Sequence, residues 1–306
     1  MENKNGRIKQ IRYIIKGVET KDGAGVRLKR IFGGPNTVNI TDPFLLLDHF
    51  GSDRIDDYIS GFPWHPHRGI ETITYLLSGK VDHRDSTDHH GTIYPDELQW
   101  MTAGSGIFHE EMPKPLDEKN PEELLRANGM PTLVSGFQLW LNLPAKYKMT
   151  VPTYRSIKGS EVPSIAIDGA RVKIIAGEYN KTSGMYDSKF GIDPLYLDVS
   201  MDEESEFSYR IKDGYTSIIF SVTGEGMYRD QKLEADTAAI LSMEGDYVNV
   251  RTSRSGYRFI LLSGKPLHEP VKWYGPIVMN TDEQIREAIR DLNSDNFVRE
   301  KNPLIE

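Results

Sequence analysis

Apolar and polar positions alternate along most of the chain, in short runs separated by glycine and proline. The segment ETITYLLSGKV (71–81) alternates up to a turn at Ser78–Gly79, and later segments repeat the pattern: SIIFSVTGEGMY, TAAILSM, DYVNVRT and YRFILLSG. Alternation with a period of two is typical of strands that bury one face. Many short strands separated by turn residues predict an all-β chain built as sandwiches or barrels.

One helix is predicted near the C-terminus. Thr281 and Asp282 supply a cap before the segment EQIREAIRDL. Four apolar residues in this region have the spacing of a single helix face: Ile285, Ala288, Ile289 and Leu292.

The chain repeats part of its own pattern. TYLLSGKVDHRDS (74–86) matches IFSVTGEGMYRDQ (219–231), and GFQLWLNLPAK (136–146) resembles GYRFILLSGKP (256–266). Two matches in the same order predict a duplicated β-domain.

The segment PAKYKMTVPTYRS is interpreted as a linker between the two copies. It places the boundary between residues 145 and 160, dividing domain 1–147 from domain 148–306, which carries the helix. The first copy has extra residues at 113–135, rich in Pro, Asn and Glu. They form either a lid beside a site or a plain surface loop.

Composition narrows the function classes. The 306 residues carry a formal net charge of −8, which disfavours direct binding to nucleic acid. No apolar run is long enough to span a membrane, and no signal peptide is expected. Cysteine is absent, so any metal must be held by nitrogen and oxygen ligands. A cytoplasmic location is the simplest expectation.

Two pairs of residues have the spacing of metal ligands. His65 and His67 project from one face if their segment is extended, and His109 and Glu111 do the same while Glu110 points away. Two such pairs on neighbouring strands are expected to converge on one ion. Three imidazoles and a carboxylate suit Fe(II), Mn, Co, Ni, Cu or Zn, and leave two octahedral positions open for substrate and dioxygen.

The acid of this set is ambiguous. Glu71 has the same strand parity as the first histidine pair, so either Glu71 or Glu111 can complete the site, or one of them orients an imidazole instead. Spacing alone leaves both open.

The other histidines carry weaker signals. His83, His89 and His90 lie in a polar, turn-rich stretch and are expected to be solvated, while His49 is expected to pack. The second copy has no ligand set, because the matching positions carry Arg210, Lys212, Val250 and Thr252. One metal ion per chain is therefore expected.

The stretches GFPWHPHRGIETITYLLSG and QWMTAGSGIFHEEMP resemble the two metal-site segments of the pirin family, within the bicupin superfamily. The likeness extends to KDGAGVRLKRIFGG, DPFLLLDHFG and YGPIVMNTDEQIREAI, and so covers essentially the whole chain. The resemblance implies two cupin-type β-barrel (jelly-roll) domains facing each other, with iron in the N-terminal one. Its metal-binding positions fall on His65, His67, His109 and Glu111.

The resemblance leads to two hypotheses about function. The first is a metal-dependent dioxygenase that cleaves a flavonol such as quercetin, with Glu111 as general base and with carbon monoxide and a depside as products. Its partners are a small aromatic substrate and dioxygen. The alternative is an iron-responsive regulatory protein that acts through a protein partner. A monomer is favoured over an oligomer.

Overall fold

The computed structural model describes residues 6–121, 132–186, 190–294 and 296–299, and strands dominate them. Up to residue 157 the strands are β1 (Ile11–Lys16), β2 (Val18–Asp22), β3 (Val26–Gly33), β4 (Phe44–Ser52), β5 (Phe62–His67), β6 (Ile70–Ser78), β7 (Lys80–Asp85), β8 (His90–Ile93), β9 (Leu98–Thr102), β10 (Ile107–Lys114), β11 (Val134–Asn142) and β12 (Thr153–Ile157).

The later strands are β13 (Ser164–Ile167), β14 (Ala170–Ala176), β15 (Glu178–Tyr179), β16 (Thr182–Ser183), β17 (Leu195–Met201), β18 (Glu206–Arg210), β19 (Thr216–Tyr228), β20 (Gln231–Glu234), β21 (Thr237–Leu241), β22 (Tyr247–Arg251), β23 (Tyr257–Gly264), β24 (Lys272–Tyr274) and β25 (Ile277–Met279). The α-helices are α1 (Val38–Thr41) and α2 (Asp282–Asn293), and 3₁₀ turns cover Ile55–Asp57 and Ala145–Tyr147.

The predicted all-β class is confirmed, because each segment with strand alternation forms a strand. The predicted turn at Ser78–Gly79 separates β6 from β7. Gly79 has φ +78°, and a Cβ there would lie 2.8 Å from the carbonyl oxygen of Leu133. Glycine is needed at this turn for both reasons.

The first structural unit consists of Val18–Val38, Phe44–Gly159 and the chain from His268 onwards. Its larger sheet has the strand order β12-β9-β6-β11-β4-β3-β2, and its smaller sheet has the order β5-β10-β7-β8. All pairs in both sheets are antiparallel. Side chains from the two sheets meet inside the unit, where Thr74 of β6 bonds to Glu111 of β10.

The second structural unit consists of the chain up to Gly17, Asn39–Pro43 and Ser160–Leu267. Its main sheet has the strand order β1-β21-β19-β23-β17-β14-β13, and β18, β20 and β22 join it beside β19. A continuous apolar core fills this unit, including Phe207, Tyr228 and Phe259, which are buried.

The two units interleave along the sequence, whereas the sequence analysis divided the chain after residue 147. Strand β1 pairs with β21, so the N-terminal segment belongs to the second unit. Strand β12 pairs with β9, so much of the predicted linker belongs to the first unit. A sheet edge accepts any strand that fits it, regardless of distance in sequence, and local patterns do not reveal the partner.

The predicted C-terminal helix is confirmed as α2. Thr281 is its N-cap: the Thr281 hydroxyl accepts from the amide of Gln284, and the Gln284 side chain accepts from the amide of Thr281. Ala288 is buried, and the apolar face packs against Ile277, Met279 and Phe297. By its contacts the helix lies in the first unit, whereas the predicted division grouped it with residues 148–306.

The predicted insertion at 113–135 begins and ends in strands, since β10 runs to Lys114 and β11 begins at Val134. Its centre, residues 122–131, lies outside the described residues. In the part of the chain that is described, no helix has the length and apolar character needed to cross a membrane.

Candidate metal centre

Two paired strands bring the predicted histidines together. Strands β5 and β10 are antiparallel neighbours, with His109 opposite His65 and Ile107 opposite His67. Residues directly opposite each other project from the same face of a sheet, and so do residues two positions apart. The three histidines therefore share one face, as the spacing predicted.

The three imidazoles form a compact cluster. Their ring centroids lie 4.9 Å apart for His65 and His67, 4.3 Å for His65 and His109, and 4.9 Å for His67 and His109. One nitrogen from each ring can be chosen so that all three lie within 4.8 Å of one another. His67 and His109 are each 1% exposed, so the cluster lies inside the unit.

Glycines shape the approach to both strands. In the segment AGSG, Gly104 has φ +49° and Gly106 has φ +141°, so the chain bends immediately before β10. A Cβ on Gly106 would lie 2.4 Å from the carbonyl oxygen of Phe297. A larger residue would force the segment leading to His109 away from its present position.

The cluster favours neutral imidazoles. Burial lowers the pKa of His65, and burial with the neighbouring imidazoles lowers the pKa of His67 and His109 well below the usual value. Neutral imidazole is the form that binds a metal ion.

The donor atoms fit a shared cation. Nδ1 of His65 lies 2.9 Å from the carbonyl oxygen of Pro63 and donates to it, which leaves the lone pair on Nε2. This Nε2 is 3.1 Å from Nε2 of His67, a separation expected for two ligands at a right angle about 2.1 Å from one ion. Both nitrogens of His109 are buried without a hydrogen-bond partner in the described chain. In a neutral imidazole one nitrogen carries the proton and the other a lone pair, and a buried, unpaired lone pair is costly unless a cation is bound.

Glu111 lies beside the cluster rather than in it. It shares the inner face of β10 with His109, but it is not among the residues whose ligand atoms lie within 4.8 Å of one another. Its Oε1 accepts a hydrogen bond from the Thr74 hydroxyl at 2.7 Å. Burial raises the pKa of Glu111 to about 7. Metal ligation by Glu111 stays a prediction.

Thr74 also contacts Gln138, with 2.5 Å between Oγ1 and the side-chain oxygen. One hydroxyl proton cannot serve two acceptors. The consistent arrangement has the Gln138 amide turned so that its NH₂ donates to Thr74 while Thr74 donates to Glu111. Thr74 thereby holds the Glu111 carboxylate from the opposite sheet.

The rival acid Glu71 is held elsewhere. Gly69 has φ +80° and separates β5 from β6, which belong to different sheets. The parity argument that linked Glu71 to His65 and His67 is therefore wrong, because the strand does not continue. Glu71 is buried, and its Oε1 accepts from the Thr102 hydroxyl at 2.7 Å.

A cavity of about 570 Å³ opens onto His65, His67 and Glu111. Trp140 packs edge-on against His67 with ring centroids 5.1 Å apart, and Trp273 stacks on Trp140 at 5.9 Å. Much of the wall is apolar or aromatic: Leu28, Leu46, Phe50, Phe62, Trp64, Val81, Trp140 and Trp273. A planar organic molecule suits such a space.

One histidine was misjudged from the sequence. His83 is 5% exposed rather than solvated, because β7 pairs with β10 and places His83 opposite Glu111. Its Nε2 contacts the hydroxyl of Tyr154, and the two rings stack at 4.8 Å. Burial lowers the pKa of His83 to about 4. The alternation in VDHRD could have indicated a strand with His83 on its buried face. The contact with Tyr154 could not have been foreseen, because Tyr154 lies in the predicted linker.

The remaining histidines follow the predictions more closely. His90 is exposed and His89 is half-buried. His49 packs its ring against Phe137, with centroids 4.9 Å apart.

Two all-β units, one with a histidine cluster inside it, define a two-domain protein of the cupin class. The Pirin family model matches residues 25–141, and the model for the pirin C-terminal cupin domain matches residues 196–298. The chain belongs to the pirin family, as the sequence resemblance predicted.

Individual relatives cover nearly the whole chain. A Thermoplasma acidophilum protein, whose name assigns it quercetin 2,3-dioxygenase activity only provisionally, is 45% identical over 83% of this chain and 99% of its own length. Human pirin is 39% identical over 94% of both chains. The crystal structure titled quercetin 2,3-dioxygenase from Acinetobacter baumannii has a TM-score of 0.84 and 33% identity, covering 95% of this chain and 99% of that one.

Proposed function

We propose that this protein is a metal-dependent dioxygenase of the pirin type, which cleaves a flavonol such as quercetin with dioxygen. The observation that carries the proposal is the buried three-histidine cluster, with unpaired nitrogens, at the wall of an aromatic cavity. The similarity to the Acinetobacter and Thermoplasma proteins named for this activity supports it.

His65, His67, His109 and Glu111 hold one divalent ion in this proposal, with Fe(II) as the metal. A set of three imidazoles and a carboxylate also accepts Mn, Co, Ni, Cu or Zn. The metal bound in the cell therefore depends on metal availability as well as on the ligands. When bound, the metal provides Lewis acidity toward the enolic hydroxyl of the substrate and a route for dioxygen chemistry.

The chain's own groups bind and orient the substrate. Trp140 and Trp273 offer stacked aromatic faces beside His67, against which a planar ring system packs and from which it displaces water. In this proposal the 3-hydroxyl of a substrate stacked there points toward Glu111, which lines the same cavity.

Glu111 takes the proton of that hydroxyl. Without a bound ion, burial raises the pKa of Glu111 to about 7, which is close to neutral pH. A carboxylate engaged with a cation is a weaker base, so the accepting oxygen must be free of the cation. In this proposal Glu111 loosens its contact with the ion before it takes the proton, and the hydrogen bond from Thr74 to its Oε1 supports the detached carboxylate.

The overall reaction balances as flavonol plus dioxygen giving a depside plus carbon monoxide. Both oxygen atoms of dioxygen enter the products, and one ring carbon leaves as carbon monoxide. Water must be kept from the opened ring, which the apolar cavity wall accomplishes.

The test is anaerobic loading of the protein with Fe(II), followed by quercetin and oxygen. We expect loss of the flavonol absorbance together with release of carbon monoxide, and neither with metal-free protein. Parallel loading with Mn, Co, Ni, Cu and Zn covers the other ions. No turnover with any of these metals overturns the proposal and leaves the regulatory alternative, which predicts a protein partner that distinguishes Fe(II) from Fe(III).

A further inference from the structure

A row of polar side chains crosses the larger sheet of the first unit. Arg30 of β3 pairs with Asp48 of β4, Asp48 with Gln138 of β11, and Gln138 with Thr74 of β6. Directly opposed residues project from the same face, and all four line the cavity. At one end of the row Thr74 donates a hydrogen bond to Glu111. Arg30 stands at the other end, three strand spacings or about 14 Å away.

Arg30 is rigidly held. Its Nε and Nη2 donate to the two carboxylate oxygens of Asp48 at 2.9 and 2.7 Å, and Nη2 also donates to Asp22 at 2.7 Å. Asp48 is 4% exposed, so this bidentate ion pair has a fixed position in the cavity wall. Nη1 has no hydrogen-bond partner among the residues described. Arg30 lines the cavity, and the two N–H groups of its Nη1 have no such partner.

The charge around Arg30 selects the kind of acceptor it can take. The carboxylates of Asp22 and Asp48 both contact the Arg30 guanidinium. Two negative charges and one positive charge give this group a formal charge of about −1. A carboxylate or sulfonate placed at Nη1 would meet Asp48 and Asp22 as well. A neutral hydroxyl or carbonyl oxygen accepts the same hydrogen bond without that repulsion.

We propose that Arg30 is a specificity-determining residue whose Nη1 donates to a neutral oxygen at the end of the substrate remote from Glu111. The inference rests on the proposed function and narrows it: the substrate is an elongated aromatic molecule with oxygen at both ends, not an acidic aromatic. Apolar residues that line the same cavity, including Leu28 and Leu46, contact its rings.

The test compares two flavonols that share the 3-hydroxyl and differ only in their other ring hydroxyls. Quercetin carries hydroxyls on the rings away from its 3-hydroxyl, whereas 3-hydroxyflavone has none there. Calorimetric titration of metal-loaded protein without oxygen measures binding while turnover is blocked. Arg30→Gln should weaken quercetin binding roughly tenfold and change 3-hydroxyflavone binding less than about twofold.

Two further variants make the comparison secure. Arg27→Gln is the matched control, because Arg27 lies on the same strand, pairs with Glu19 at the surface and does not line the cavity. Arg30→Gln leaves the Asp48 carboxylate buried without its partner. The double variant Arg30→Gln/Asp48→Asn removes both charges, and it should show the same selective loss of quercetin binding.

A third variant tests the charge argument. Asp22 is exposed, so Asp22→Asn is expected to fold normally. It should strengthen binding of naphthalene-2-carboxylate about threefold, because it removes one of the two repelling carboxylates.

The outcomes separate the inference from the proposed function. The role of Arg30 is overturned if Arg30→Gln and the double variant weaken the binding of both flavonols equally, or weaken the binding of neither. This holds even if the wild type turns over quercetin. Selective weakening supports it even if no metal gives turnover. A wild type that binds neither flavonol overturns both.

Discussion

Arg68 donates a hydrogen bond from Nη1 to the carboxylate of Asp291 in α2, across 2.8 Å. Arg68 directly follows the proposed ligand His67 and is 1% exposed. Its Nε donates to the carbonyl oxygen of Ser105 at 2.6 Å, and its Nη2 to that of Phe297 at 3.1 Å. One buried side chain therefore joins the end of β5, the loop before β10 and the C-terminal helix.

Asp291→Asn should destabilise the protein by about 2–3 kcal/mol. The change leaves the Arg68 guanidinium buried without its counter-charge, and that loss is far larger than the loss of a surface ion pair. The measurement is the free energy of unfolding from a denaturant titration, with metal content determined on the same samples.

The matched control is Glu283→Gln on the same helix. Glu283 contacts Arg286 at the same 2.8 Å, but both side chains are largely exposed. Its loss should be within about 0.5 kcal/mol. Equal effects of the two substitutions would show that the Arg68–Asp291 pair has no special role.

His67→Ala should lower metal affinity by more than about tenfold, because one imidazole of the cluster is lost. Elemental analysis after reconstitution with Fe(II) gives the occupancy. His90→Ala is the control, since His90 is exposed and lies outside the cluster. Unchanged occupancy in the His67 variant would contradict the metal assignment.

Glu111→Gln should reduce kcat about a hundredfold while reducing metal occupancy much less, because it removes the proposed base and leaves the three imidazoles. Glu110→Gln is a close control: the neighbouring side chain pairs with Arg84 at the surface. Steady-state rates with quercetin and metal analysis provide the comparison. A larger effect on occupancy than on kcat would contradict the role of Glu111 as the base.

Lys148 predicts a rise of stability with pH. Its ammonium group is buried and donates to the oxygens of Gly69, Asn142 and Val278. Burial lowers the pKa of Lys148 to about 7. Between this pH and about 10.5 the unfolded chain holds a proton that the folded chain does not, so stability increases by up to about 1.4 kcal/mol per pH unit.

Lys148→Met should abolish this rise, whatever it does to absolute stability, because the titrating group is gone. The slope of unfolding free energy against pH is the measured quantity. Lys146→Met, at an exposed position two residues earlier, should keep the wild-type slope. Parallel slopes for wild type and Lys148→Met would rule out the lowered pKa.

Local patterns in the sequence were sufficient for the named strand segments, for helix α2 and for the shared face of His65 and His67. His65 and His67 share a face because extended chain alternates, and Thr281 caps α2 because its hydroxyl reaches an amide three residues away. These relationships span a few residues and depend only on backbone geometry, so the sequence by itself determined them.

Contacts between distant residues were decided by the tertiary structure alone. Arg30 and Asp48 are 18 residues apart, Thr74 and Gln138 are 64 apart, and Arg68 and Asp291 are 223 apart. Strand order and register determine which distant residues meet. The alternation of apolar and polar residues within one strand does not reveal either of them. For the same reason the sequence assigned α2 to the second domain and left His83 in solvent, whereas strand pairing buried His83 opposite Glu111.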